Sequence, residues 1–234
     1  MAFVVEFAES VQRLSGVAVP ALADAPVAAE WSPLAKAVEE ALGRGETHYT
    51  DRPGILPLRQ KVTAQLKARF GVEADAKAAA VITCGVVEAR FVALQQLLAA
   101  GDAVWAPVSV LERIAGAALL RRAALAASPE ASRLVYLASS LGEAALRESL
   151  AKLPAEAIVL FEVDEAENLF HPATVEGFAA RTVTVGQIGY VSWQMGYLVA
   201  PGKLAAGLRD FKQALTICST NLSQWAALSA MEAQ

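Results

Sequence analysis

The chain has 234 residues, 55% of them hydrophobic, which suffices for the core of one large domain and leaves no room for a second full one. Its net charge of −4 and pI near 5.3, with no lysine or arginine cluster interleaved with aromatics, speak against nucleic acid as a partner. No apolar run reaches the roughly 18 residues of a spanning helix, and the start MAFVVEFAESVQRL carries Glu6 and Glu9 where a signal peptide has a basic region. The expectation is a cytoplasmic protein.

Apolar spacing predicts a helix over Pro33–Leu42, with Pro33 in its first turn and Gly43 as terminator. Gly54 and Pro57 introduce a second helix, Leu58–Phe70, closed by Gly71. A short buried strand over Ala79–Thr83 leads into a helix over Val87–Ala99 that closes on Gly101, and Val104–Pro107 reads as the next strand. Then come a helix over Leu111–Ala127, a strand over Leu134–Leu137 and a helix over Glu143–Leu153. Ile158–Val163 is a continuous apolar run of strand length placed before Asp164, as in a central parallel strand whose end faces a ligand crevice. Thr182–Val185 and Gly196–Val199 are two further strands, and Pro201 opens a long final helix with a break near Cys218–Asn221. Alternation of this kind predicts an α/β fold, a three-layer αβα sandwich with helices on both faces of a mostly parallel sheet.

Four segments, in order, carry a resemblance. Thr47–Arg59 reads THYTDRPGILPLR, and Val81–Ala106 reads VITCGVVEARFVALQQLLAAGDAVWA. Arg181–Ala200 reads RTVTVGQIGYVSWQMGYLVA, and the stretch Leu204–Ala227 ends in LTICSTNLSQWAAL. Together they resemble the class I/II aminotransferases, the fold type I enzymes related to aspartate aminotransferase that use pyridoxal 5'-phosphate. The resemblance covers roughly residues 30–234 and implies the large, cofactor-binding domain over 31–234 behind an N-terminal segment 1–30. It also implies a homodimer, and the C-terminal small domain of a typical member is expected to be absent.

The same resemblance implies site residues. Gly85, Val86 and Val87 fall where the family's backbone amides hold phosphate, Tyr49 where a tyrosine reaches the partner subunit's cofactor, and Asp164 where an aspartate pairs with the pyridine nitrogen. Independently of the family, free amides at a helix N-terminus favour an anion, although Thr83–Glu88 also reads as an ordinary tight connection with Glu88 favouring the first turn. Asp164 likewise reads either as the acid at a pyridine nitrogen or as a cap for the loop after its strand.

The departures fall on cofactor contacts. Gln194 stands at the phosphate arginine, removing a permanent charge and a bidentate fork. Counting back the family's eight places from Gln194 lands on Gly186, and no lysine occurs between Lys152 and Lys203. The NPxNPTG loop is replaced by ASSLGEAAL, Glu167 replaces the tyrosine of the DE[VI]Y motif, and Ser109 or Val110 stands where a stacking aromatic is expected. Cys84 and Cys218 read as buried thiols, and His48 and His171 lack metal-ligand spacing. Trp193, Trp225 and Tyr197 read as packing residues. No catalytic residue is assigned. The leading expectation is a degenerate member that has lost transamination and serves as a binding or regulatory module with a small-molecule ligand. The alternative is an active aminotransferase whose missing groups are supplied otherwise, with Lys203 the nearest substitute lysine.

Overall fold

The structure, a computed structural model, describes residues 31–164, 167–189 and 194–232. The expected N-terminal segment 1–30 and Trp193 lie outside the described residues. Seven strands form one sheet in the order β1-β7-β6-β5-β4-β2-β3. They are β1 (Ala80–Thr83), β2 (Ala103–Trp105), β3 (Ala124–Leu125), β4 (Leu134–Ala138), β5 (Ile158–Val163), β6 (Thr182–Ile188) and β7 (Met195–Val199). The run from β3 through β6 is parallel, whereas β7 lies antiparallel between β6 and β1. The helices are α1 (Trp31–Gly43), α2 (Leu56–Phe70), α3 (Gly85–Leu97), α4 (Val108–Leu120), α5 (Glu143–Ala151), α6 (Gly202–Thr216) and α7 (Asn221–Glu232). This is an α/β architecture with a mostly parallel sheet, as the alternation of elements predicts.

Local chemistry accounts for the boundaries. Pro57 sits in the first turn of α2, and Gly71 ends it in the left-handed conformation, φ 73°, with its N–H on the Lys67 carbonyl. The predicted break in the last helix falls between α6 and α7. The helix expected over Leu111–Ala127 is shorter: α4 stops at Leu120, and the Ala124 and Ala126 amides bond the carbonyls of Asp102 and Val104 in the sheet ladder. An alanine-leucine run has no period to separate helix from buried strand, and the open edge of β2 decides the outcome.

Strands β4 and β5 are buried on both faces, which is why they read as unbroken apolar runs. Leu160, Tyr136, Val183 and Val185 pack beneath α3, α4 and α6. On the opposite face, Ile82, Ile188 and Val199 meet α2 and α7, while Val135, Val159 and Phe161 meet α5, Phe170 and Phe178. Alternation along β5 therefore turns Glu162 toward α3 and α4. The carboxyl ends of β1, β4, β5 and β6 share one edge of the sheet with the start of β7.

Candidate functional site

Asp164 follows β5 at this edge, and its carboxylate is fully engaged. Oδ1 accepts the Ser139 hydroxyl at 3.0 Å and the Ser140 amide at 2.8 Å; Oδ2 accepts Arg113 and, at 2.7 Å, the Ser140 hydroxyl. Four acceptances exhaust the lone pairs of a carboxylate. Burial by itself raises the Asp164 pKa, but the hydrogen bonds from Arg113, Ser140 and Ser139 outweigh it and hold the group below the ordinary aspartate value.

Arg113 was not among the candidates from sequence, yet α4 delivers it into a half-buried polar cluster. Glu162, 4% exposed, accepts Arg90 at 3.0 Å, Arg113 at 3.4 Å and the Tyr136 hydroxyl at 2.6 Å. Two guanidinium groups thus face two carboxylates with a phenol between them. Burial, then the Glu162 charge, pushes the Tyr136 pKa up, so the phenol stays a hydrogen donor. Ser109 and Val110 lie in the first turn of α4, with Val110 buried in the core.

At the end of β1 the chain turns through Cys84 into α3, where Gly85 adopts φ 79°. The Glu88 carboxylate turns back over this helix start, Oε2 accepting the Cys84 amide at 2.6 Å and Oε1 accepting the Thr216 hydroxyl at 2.9 Å. The chain's own anion therefore shares the positive end of the α3 dipole with any ligand near Gly85, Val86 and Val87. Gly196 of β7 presses against the same turn: a Cβ there would lie 2.5 Å from the Gly85 carbonyl carbon and 2.7 Å from the Val86 nitrogen. Gln194 is exposed, with φ 52°, and its carbonyl oxygen lies beside Gly85.

Gly186, the position counted back from Gln194, lies within β6 under its cross-strand partner Tyr197, whose hydroxyl would be 2.5 Å from an added Cβ. The phenol is 5% exposed and burial raises its pKa. Counting forward from Arg181 along the family's segment instead gives Tyr190, outside the described residues. Lys203 is exposed at the start of α6, just after Ala200 bonds the Ala79 carbonyl, and so belongs to the edge of the sheet opposite Asp164.

Two cavities adjoin these positions. One of about 290 Å³ opens on the α2–α7 side between Arg69, Phe70, Asp164, Tyr197 and Met231. The other, about 420 Å³, is lined by His48, Tyr49, Cys218, Ser219 and Asn221. Tyr49 is 78% exposed at its rim.

Cys84 is exposed and Cys218 half-buried, which corrects the expectation of two buried thiols: each stands past the end of its element, where side chains leave the core. Trp225 packs beneath the Arg44 guanidinium. His171 is wholly buried against Phe70 and Phe161, its Nδ1 accepting the Ala173 amide at 3.1 Å and its Nε2 facing the Thr184 hydroxyl at 3.1 Å. Among the described residues, no three histidine, cysteine or carboxylate side chains converge as a metal site.

Lys212 also escaped the sequence reading. It follows Ala205 by seven places and Leu208 by four, the spacing of the buried face of α6, so a lysine on that stripe was the available signal.

Comparison with known proteins gives the geometry its relatives. No family model matches the chain. A probable N-succinyldiaminopimelate aminotransferase of Mycobacterium tuberculosis is 26% identical over 78% of this chain and 56% of its own length. An arginine–pyruvate transaminase of Pseudomonas aeruginosa is 28% identical over 86% of this chain and 60% of its own. Among solved structures, an Escherichia coli protein with a methionine aminotransferase function superposes with a TM-score of 0.76 at 21% identity, covering 86% of this chain and 62% of its own. An aromatic aminotransferase of Pyrococcus horikoshii gives 0.74 at 22%, covering 85% and 63%. The chain is thus a relative of the aspartate aminotransferase-like proteins that spans about 56–60% of the length of these curated relatives. Among the described residues, no helix is long and apolar enough to cross a membrane.

Proposed function

We propose that this chain, a relative of the pyridoxal-phosphate-dependent aminotransferases in sequence and large-domain fold, lacks transamination and works as a binding or regulatory module. The observation that carries the reading is the saturated Asp164 carboxylate: with Arg113, Ser139 and Ser140 on its four acceptor sites, no lone pair is left for a pyridine nitrogen. Two further features support it. Glu88 places a carboxylate at the helix start where a phosphate would sit, and Gln194 supplies no charge there. The described residues therefore do not fit pyridoxal phosphate. Gly85, Val86, Val87, Asp164 and Tyr49 are read as inherited positions of a cofactor site turned to structural use.

A homodimer in the cytoplasm is part of the same proposal. The 78% exposure of Tyr49 suits a side chain that meets a second subunit. The test is amino-group transfer: purified protein with a ¹⁵N-labelled amino acid, a 2-oxo acid and added pyridoxal phosphate should leave the label where it began. Cofactor-dependent appearance of label in the new amino acid would overturn the proposal and restore an active transferase.

A further inference from the structure

Cys84 and Cys218 stand far apart in the sequence, but the fold ties their neighbourhoods together at two points. The Cys84 amide donates to Glu88 Oε2 at 2.6 Å, and the other oxygen of that carboxylate accepts, at 2.9 Å, the hydroxyl of Thr216, two places before Cys218. The hydroxyl of Ser219, next to Cys218, donates at 3.0 Å to the carbonyl of Ile82, two places before Cys84. Ser219 and Ile82 are both buried, which secures the second link. The links run in opposite directions along the chain, from 84 to 216 and from 82 to 219, so Cys218 falls opposite the Thr83–Cys84 step. The buried Lys212 amine stands within the field of both thiols, in keeping with one shared neighbourhood.

Both thiols are free and open to a small reagent. Cys84 is exposed past the end of β1, and Cys218 is half-buried at the wall of the cavity of about 420 Å³. A disulfide needs Cα atoms within about 7 Å and Cβ atoms turned toward each other. The chain around Cys218 has the freedom to meet that demand. Ile217 ends α6 at φ 59° and ψ −74°, a rare γ-turn conformation that is strained for a β-branched residue. Leu215 and Ile217 are exposed, so little packing opposes a change in this turn. Between the anchors at Thr216 and Ser219 only Ile217 and Cys218 have to move, and relief of the Ile217 strain favours the movement.

We propose that Cys84 and Cys218 form a reversible disulfide in response to a peroxide, clamping the end of α6 onto the turn between β1 and α3. The Cys84 thiolate, the more exposed, attacks one peroxide oxygen; the O–O bond breaks, hydroxide leaves and takes up the thiol proton as water, and Cys84 becomes a sulfenic acid. The Cys218 thiolate then attacks the Cys84 sulfur, the S–O bond breaks, and the oxygen leaves as a second water with the Cys218 proton. Two thiols thus lose two electrons and two protons to one hydrogen peroxide, and exchange with a small thiol reverses the bond. Disulfides of this transient, sensing kind are the ones a reducing compartment tolerates. Because Cys218 is a wall of the cavity, oxidation fixes that wall in place. The inference does not rest on the loss of transamination, and its experiment reads cysteine oxidation rather than amino-group transfer.

The test treats the reduced, intact chain with a small excess of hydrogen peroxide, alkylates the remaining thiols and maps the peptides without reduction. A monomer lighter by two hydrogens, one linked pair of peptides carrying Cys84 and Cys218, and recovery of both thiols with dithiothreitol are expected. Amides of residues 215–219 should exchange with deuterium about ten-fold more slowly in the oxidised chain. In Cys218→Ser the reaction should halt at the Cys84 sulfenic acid, trapped by dimedone, whereas Cys84→Ser should leave Cys218 reduced under the same treatment. Two cysteines oxidised separately, or a disulfide joining two copies of the chain, overturns the proposal; this map of the unaltered chain decides the matter even if a variant fails to fold. Unchanged exchange across 215–219 in the linked chain overturns the clamp.

Discussion

Acid should weaken this fold through His171 before it reaches most of the carboxylates. The imidazole is wholly buried, and burial lowers its pKa from 6.5 to about 4. Because Nδ1 accepts the Ala173 amide, the proton of the neutral ring sits on Nε2 and points to Thr184, and charging the ring sacrifices the Ala173 bond. Between pH 6.5 and 4 the unfolded chain binds a proton at this position and the folded chain does not. Stability is therefore complete above the unfolded pKa and falls with pH through this window. The full shift corresponds to about 3 kcal/mol, of which about 2 kcal/mol is lost between pH 7 and pH 5. Guanidinium unfolding at those two pH values, on the wild-type chain and on His171→Gln, isolates the effect, since other titrating groups cancel in the comparison. The wild type should lose about 2 kcal/mol more than the variant. Equal losses, or an imidazole that titrates above pH 6 by NMR, would refute the reasoning.

Glu162→Gln removes the charge that two guanidinium groups share in a nearly closed space, and should cost about 3 kcal/mol or more in chemical unfolding. A loss below about 1 kcal/mol would mean that water reaches Arg90 and Arg113 freely. Gly196→Ala places a methyl against the Gly85–Val86 turn and should cost about 2 to 3 kcal/mol, with unfolding monitored by circular dichroism; a neutral result would contradict the close approach of β7 to α3. Arg59, 2% exposed, binds the carbonyls of Gly54 and Ala76 and the carboxylate of Asp51. Arg59→Met should cost about 2 to 4 kcal/mol and raise proteolytic cleavage in the 44–55 segment; unchanged cleavage would place the anchoring elsewhere.

The order of elements was legible because apolar runs, glycines and prolines punctuate the chain at nearly every boundary, as Gly71 and Pro57 do for α2. That no lysine stands between Lys152 and Lys203 was legible by counting. The fate of Asp164 was not. Its partner Arg113 lies 51 residues earlier, on a helix whose sequence shows no motif, and a pairing across that distance leaves no local signature. Cys84 misled for a simpler reason: it continues the apolar run of β1 in sequence, but the strand has ended and the side chain points outward. Lys212 was within reach of periodicity, had the polar members of the buried stripe of α6 been read along with the apolar ones.

The pairing of β1 carries a consequence for how the chain comes off the ribosome. Ala80 bonds along Val199, and β7 is the strand that joins β1 to the rest of the sheet. Until β7 has been synthesised, β1 has no ladder partner, and the nascent chain must carry an apolar strand with a bare edge while all the residues between the two are made. Closing so long a loop is slow compared with forming any single helix. The last strand to emerge therefore sets when the first one is safe from mispairing, and a nascent chain stalled ahead of β7 should be a substrate for chaperones that recognise extended apolar segments.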